Sequence, residues 1–105
     1  MNTKTIIRTN MEQIEVDKKT AKMSLYHYEG CFFCFGVREV IETLNLKIEL
    51  RDVRKERYRA DELLEGGGSS TVPCLRRENA KTSCDEWLYE SSDIVDFLKA
   101  EFGNV

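Results

Sequence analysis

The chain has 105 residues, 41% of them hydrophobic and 33% charged, a balance that supports one packed core and excludes both a disordered polar chain and a second full domain. Its 19 acidic and 16 basic residues are interspersed and leave a net charge of -3, so no broad positive field exists to hold a nucleic-acid backbone. The longest apolar runs span only a few residues, as in Cys31-Phe32-Phe33-Cys34-Phe35, far short of the roughly 20 that cross a bilayer, and no membrane partner is expected.

Residues 1–22 are more polar than the rest of the chain and read as an N-terminal extension, a short helix or disordered, ahead of a folded domain over 23–105. Within the extension Ile7, Met11 and Ile14 fall at i, i+4 and i+7, with Asn10 as the expected cap and Gln13 reaching back to it; a frayed arm is the alternative. The first twenty residues lack an apolar signal core, so a cytoplasmic location is expected. In a reducing compartment the four cysteines serve catalysis, metal binding or packing rather than a disulfide framework.

Met23 to Tyr28 is short, aromatic and bounded by Gly30, which predicts a first strand ending in a tight turn. After the cysteine pair, Val37, Val40, Ile41 and Leu44 recur at i, i+3, i+4 and i+7, the one-sided stripe of a helix lying on a sheet. Leu46, Ile48 and Leu50 then alternate with Lys47, Glu49 and Arg51, predicting a strand after a brief turn at Asn45. Strand, helix and strand in about thirty residues form a βαβ unit with parallel strands. The charged stretch Arg54 to Glu65 predicts a second helix whose core candidates are Tyr58, Leu63 and Leu64, with Gly66 at its C-terminus. Thr71 to Arg76 and Glu86 to Tyr89 predict a hairpin. Ser91 or Ser92 is the expected cap of a last helix that faces Ile94, Phe97, Leu98 and Phe102 inward. The fold class is α/β, a mixed four-stranded sheet in the order βαβ then αββα with flanking helices.

Cys31-Phe32-Phe33-Cys34 joins the first strand to the start of the clearest helix, where free N–H groups and the macrodipole stabilise an anion. The thiolate is the nucleophile in disulfide exchange, and a cysteine placed there is expected to ionise below the roughly 8.5 of a free thiol. Cys31 is therefore the expected nucleophile, and Cys34, on the same helical face, the resolving thiol. A zinc site from Cys31, Cys34, Cys74 and Cys84 is the competing reading, although nine residues separate the second pair, where a knuckle has two to four; no metal is expected. Thr71-Val72-Pro73-Cys74 carries the only proline, at the start of a predicted strand, a position proline tolerates. Cys74 is expected to be a buried small hydrophobe, Cys84 to be exposed, and His27 to be a sheet residue.

From Ser24 to Phe102 this arrangement resembles the thioredoxin superfamily, most closely glutaredoxins and the N-terminal domains of glutathione transferases. The resemblance implies a thioredoxin-like fold and glutathione as cofactor. It implies that Pro73 is cis and faces Cys31, and that the backbone of Val72 pairs with the cysteinyl part of glutathione. Glu90 and Ser91, in Glu90-Ser91-Ser92-Asp93-Ile94, match residues that hold the γ-glutamyl amine and carboxylate, and a carboxylate independently suits helix N–H groups; a simple N-cap at Ser91 is the alternative. The implied activity is glutathione-dependent thiol-disulfide exchange on disulfide-bonded or glutathionylated protein substrates, by a monomer.

The pattern departs from glutaredoxins where Phe32 replaces the proline after the first cysteine. In related proteins that change accompanies a two-iron two-sulfur cluster shared between subunits with glutathione as co-ligand, so a cluster carrier is one alternative and a non-redox glutathione-binding module another. Tyr28 replaces a basic residue, leaving Arg54 or Lys55 as candidates for the glycine carboxylate. Phe32, Phe33 and Phe35 form an aromatic cluster that suits either a docking patch for a protein substrate or packing around the helix start, and Phe35 is expected to pack.

Overall fold

Met23–His27 is buried along its whole length, and in the computed structural model, which describes residues 7–103, it forms β1, one of the two inner strands. The elements are α1 (Asn10–Thr20), β1 (Met23–His27), α2 (Phe32–Thr43), β2 (Glu49–Asp52), α3 (Arg57–Gly67), β3 (Cys74–Arg77), β4 (Glu86–Tyr89) and α4 (Ser91–Phe102). The sheet order is β2-β1-β3-β4. Leu25 pairs with Leu50 on parallel β2 and with Leu75 on antiparallel β3, and Leu75 pairs with Leu88 on antiparallel β4. This is the mixed four-stranded sheet that the element order predicts.

Alternation along the strands divides the core in two. Leu25 and Leu75 turn to the face covered by Val37, Ile41 and Leu44 of α2 and by Ile94, Leu98 and Phe102 of α4. Tyr26 and Cys74 turn to the other face, where Leu63 of α3 covers them with Val53, Val72, Trp87 and Tyr89. The buried Tyr26 hydroxyl donates to Glu62 Oε1 at 3.1 Å and accepts from Arg51 at 2.8 Å and Arg76 at 3.1 Å, tying three strands to α3 with its polar end satisfied.

α2 ends in a Schellman motif. Asn45 takes a left-handed φ of 53°, its N–H donates to the Glu42 carbonyl at 3.0 Å, and the Leu46 N–H donates to that of Ile41 at 2.9 Å. The motif turns Leu46 back onto Ile41 in the core, so β2 starts at Glu49, later than the alternation suggests. Leu50 is exposed because β2 is an outer strand beyond the cover of the helices.

α3 also departs from expectation. It runs past Gly66 to Gly67 and closes at Gly68, whose φ is 92°. The reason is tertiary: a Cβ on Gly66 would collide with the Trp87 ring, and one on Gly67 with the Tyr89 hydroxyl, so both glycines are needed inside the last turn for close approach to β4. Of the core candidates only Leu63 is buried, while Tyr58 and Leu64 face outward.

α1 is capped by Thr9 and Glu12 in a capping box, not by Asn10 and Gln13. Ile7, Met11 and Ile14 lie exposed, and the inward side carries Val16 and the fully buried Thr20. Polar contacts dock this helix. Gln13 donates to the Asn45 carbonyl at 3.2 Å, and Arg8 donates to the Leu44 carbonyl at 2.7 Å and the Phe102 carbonyl at 3.0 Å. One guanidinium thus satisfies the carbonyl ends of α2 and α4, where the helix dipoles favour a cation. Arg8→Ala is expected to cost about 1–2 kcal/mol and to speed amide exchange across α1. Unchanged denaturation and exchange would mean that Val16 and Thr20 dock the helix alone. Among the described residues no helix is long and apolar enough to cross a membrane.

Candidate functional site

Cys31 is the N-cap of α2, with extended φ and ψ of -78° and 118°. Its Sγ accepts the Cys34 N–H at 3.2 Å, one of the donors that a helix start leaves without an intrahelical partner. Cys31 keeps 8% of its surface and Cys34 none, so an incoming disulfide meets Cys31. Burial, reinforced by Cys31 beside it, pushes the Cys34 thiol up to about 12, and at neutral pH Cys34 is a thiol.

Strand register brings the other predicted residues to the same end of the sheet. Cys74, the first residue of β3, lies opposite Tyr26 of β1 and Tyr89 of β4. Pro73 directly precedes Cys74, and His27 and Glu90 directly follow Tyr26 and Tyr89, so all three lie at the end of the sheet from which the Cys31 turn and α4 depart. The Val72–Pro73 bond is cis. Among the described residues, neither the amide nor the carbonyl of Val72 joins a backbone hydrogen bond, which leaves an edge that an extended peptide backbone fits.

α4 corrects the expected cap. Its N-cap is Glu90, at φ 72° and ψ 115° with no side-chain cap bond, and Ser91 and Ser92 are already helical. The first-turn N–H groups thus stay open to an anion, which a serine cap would have blocked. Between α2 and α4 lies a groove of about 510 Å³ lined by Phe32, Phe33, Val40, Ser91, Val95 and Asp96, among others. Phe32 is 79% and Phe33 63% exposed. Phe35, expected to pack, is also exposed, because Cys34, Val37 and Ile41 occupy the inward face of α2.

Both candidate basic residues flank the turn before Cys31. The Arg54 guanidinium lies 3.7 Å over the Tyr28 ring, and Lys55 pairs with Glu29 at 2.9 Å. Sequence reasoning missed Arg38, which reaches back from α2 to His27, Tyr28 and Glu29; the available signal was a cation set between Val37 and Ile41 in an apolar stripe. His27 is a buried sheet residue, as expected. Cys74 is buried, its thiol pushed up to about 12 by that burial, and Cys84 is exposed. Among the described residues no three potential metal-ligating side chains gather into a cluster.

No curated protein sequence matches the chain. Among solved structures, an epsilon-class glutathione S-transferase from the housefly Musca domestica is 22% identical, with a TM-score of 0.62 over 80% of this chain and 37% of its own. A glutathione transferase homolog from Drosophila mojavensis, with bound glutathione, is 21% identical at a TM-score of 0.63 over 79% of this chain and 36% of its own. Wheat glutaredoxin is 17% identical at a TM-score of 0.57, over 90% of this chain and 87% of its own. The chain thus spans little more than a third of the transferases and most of the length of the glutaredoxin, and the shared fold is thioredoxin-like. Residues 25–105 match the family described as glutathione S-transferase, N-terminal domain, and it is to this family that the chain belongs.

Proposed function

We propose that this domain binds glutathione and catalyses thiol-disulfide exchange, reducing glutathionylated or disulfide-bonded proteins. The observation that carries the reading is a Cys31 thiol at the N-cap of α2 that keeps a small solvent-facing surface, beside a fully buried Cys34 held as a thiol, at the sheet end shared with Val72–Pro73 and the uncapped α4. In the proposed site the Val72 backbone pairs with the cysteinyl unit of glutathione, the α4 N–H groups at Ser91 take the γ-glutamyl carboxylate, and Glu90 offers a counter-charge to the ammonium. The Cys31 thiolate attacks the glutathione sulfur of a mixed disulfide, the S–S bond breaks, and the protein thiolate leaves and takes a proton. A free glutathione thiolate then attacks the Cys31–glutathione disulfide, freeing Cys31 and releasing oxidised glutathione. Each turnover thereby consumes one free glutathione and joins it, as one disulfide, to the glutathione that the substrate carried.

The deciding experiment couples reduction of a glutathione mixed disulfide to glutathione reductase and, in parallel, to thioredoxin reductase. Turnover that requires glutathione supports the proposal. Turnover only with thioredoxin reductase removes the glutathione site at Val72, Pro73, Glu90 and Ser91, and turnover in neither removes the enzyme. In that last case calorimetry with glutathione and colour after anaerobic reconstitution with iron and sulfide separate a binding module from a cluster carrier.

A further inference from the structure

Arg38 reaches back into the turn between β1 and Cys31 with three hydrogen bonds, where Arg54 only stacks on Tyr28 and Lys55 only pairs with the Glu29 side chain. Arg38 donates through Nη1 to His27 Nδ1 at 3.0 Å and to the Tyr28 carbonyl at 3.3 Å, and through Nη2 to the Glu29 carbonyl at 3.3 Å. The Tyr28 carbonyl also accepts the Cys31 N–H at 3.1 Å. Hydrogen bonds therefore run from the guanidinium through one carbonyl to the backbone of Cys31, whose Sγ in turn accepts the Cys34 N–H. Among the described residues Arg38 joins no ion pair with a carboxylate, and its planar fork is spent on this turn and on the imidazole.

We infer that Arg38 is a positioning residue, which clamps the Tyr28–Gly30 turn and thereby holds Cys31 Sγ over the first turn of α2, with neutral His27 as the acceptor that completes the clamp and lets acid release it. The inference deepens the reading of Cys31 as the reactive thiol and rests on it. His27 accepts at Nδ1 only as the neutral tautomer protonated at Nε2. Burial first, and then the facing Arg38 cation, hold its imidazole below the ordinary 6.5; Asp52 and Glu29 oppose this, and Lys55 adds to it. At neutral pH the clamp is therefore complete. As pH falls through the lowered value His27 takes a proton, Nδ1 becomes a donor facing a guanidinium, and the contact turns repulsive.

The test is site-resolved alkylation of Cys31 by iodoacetamide, followed by mass spectrometry between pH 5 and 8 on the whole chain. Arg38→Met is expected to slow Cys31 labelling at pH 7.5 by about tenfold, and Arg38→Lys nearly as much, because a single ammonium nitrogen lacks the planar fork whose two nitrogens, Nη1 and Nη2, reach these acceptors from separate positions. For a lone thiol, labelling falls by about tenfold per pH unit as the thiolate is lost. The wild type is expected to fall more steeply than that in the acid range, and His27→Gln, an acceptor that does not titrate there, to return to the single-proton slope. Wild-type labelling in a folded Arg38→Met, full rescue by Arg38→Lys, or wild-type steepness in His27→Gln would each overturn the inference. If Arg38→Met does not fold, the slope in His27→Gln decides. The labelling needs neither glutathione nor a disulfide, so an inactive oxidoreductase that still labels in this way sinks the proposed function and leaves the clamp standing.

Discussion

Cys31→Ser is expected to lower reduction of a glutathione mixed disulfide by about a thousandfold or more, whereas Cys34→Ser lowers it by about tenfold or less. A serine hydroxyl does not ionise near neutral pH and forms no bond that exchange can reverse, so the first substitution removes the reaction itself. The second removes only one of two ways to resolve the intermediate. With its thiol pushed up by burial, Cys34 stays protonated at pH 7, while glutathione arrives from solvent with an ordinary thiol. The monothiol route is therefore expected to carry the flux, and Cys34 to gain weight as pH rises. Initial rates of both variants at saturating glutathione, from pH 6 to 9, check this. A Cys31→Ser protein with wild-type rates would end the assignment, and a Cys34→Ser loss equal to that of Cys31→Ser would replace the monothiol route by an obligatory dithiol one.

The largest expected effect on stability comes from Leu25→Ala, at about 3–4 kcal/mol. Leu25 is fully buried on an inner strand, between Leu50 and Leu75 and in the cluster formed by α2 and α4. Truncating it leaves a cavity with walls on every side, which the sheet cannot close by moving one element. Against the roughly 5–15 kcal/mol that stabilises a typical domain, such a loss is expected to lower Tm by about 10–20 °C. Leu50→Ala, on the outer strand with its side chain 46% exposed, is expected to cost under about 1 kcal/mol. Denaturant titrations of the two variants compare them directly, and similar losses would mean that β2 is packed as tightly as β1. Because β1 ends at His27 and leads into the turn before Cys31, loosening it also weakens the seat of the thiol.

The chain order of strands and helices, the buried stripe of α2 and the seat of Cys31 at a helix start were legible because each depends on neighbours a few residues apart. Cys31 and Cys34 are brought together by the first turn of α2 alone. The α4 stripe of Ile94, Leu98 and Phe102 was legible for the same reason.

Where residues far apart in the chain had to meet, local patterns were silent or misleading. The apolar spacing of Ile7, Met11 and Ile14 suggests an inward face, yet α1 is oriented by Arg8 reaching the carbonyl ends of two other helices. Gly66 looks like a helix end until the Trp87 ring makes it a close contact. Ser91 looks like a cap, but the backbone leaves β4 through Glu90 at positive φ, so the helix starts one residue earlier and keeps its N–H groups open. Short-range periodicity and backbone preference suffice for the element order, the apolar stripes and the cysteine pair at a helix start, and all three stand in the amino-acid sequence. Val72, Pro73 and Glu90 share the end of the sheet where Cys31 sits, and Arg38 clamps the turn before it, only in the folded chain, because strand register and side-chain reach bring together positions that no local pattern relates.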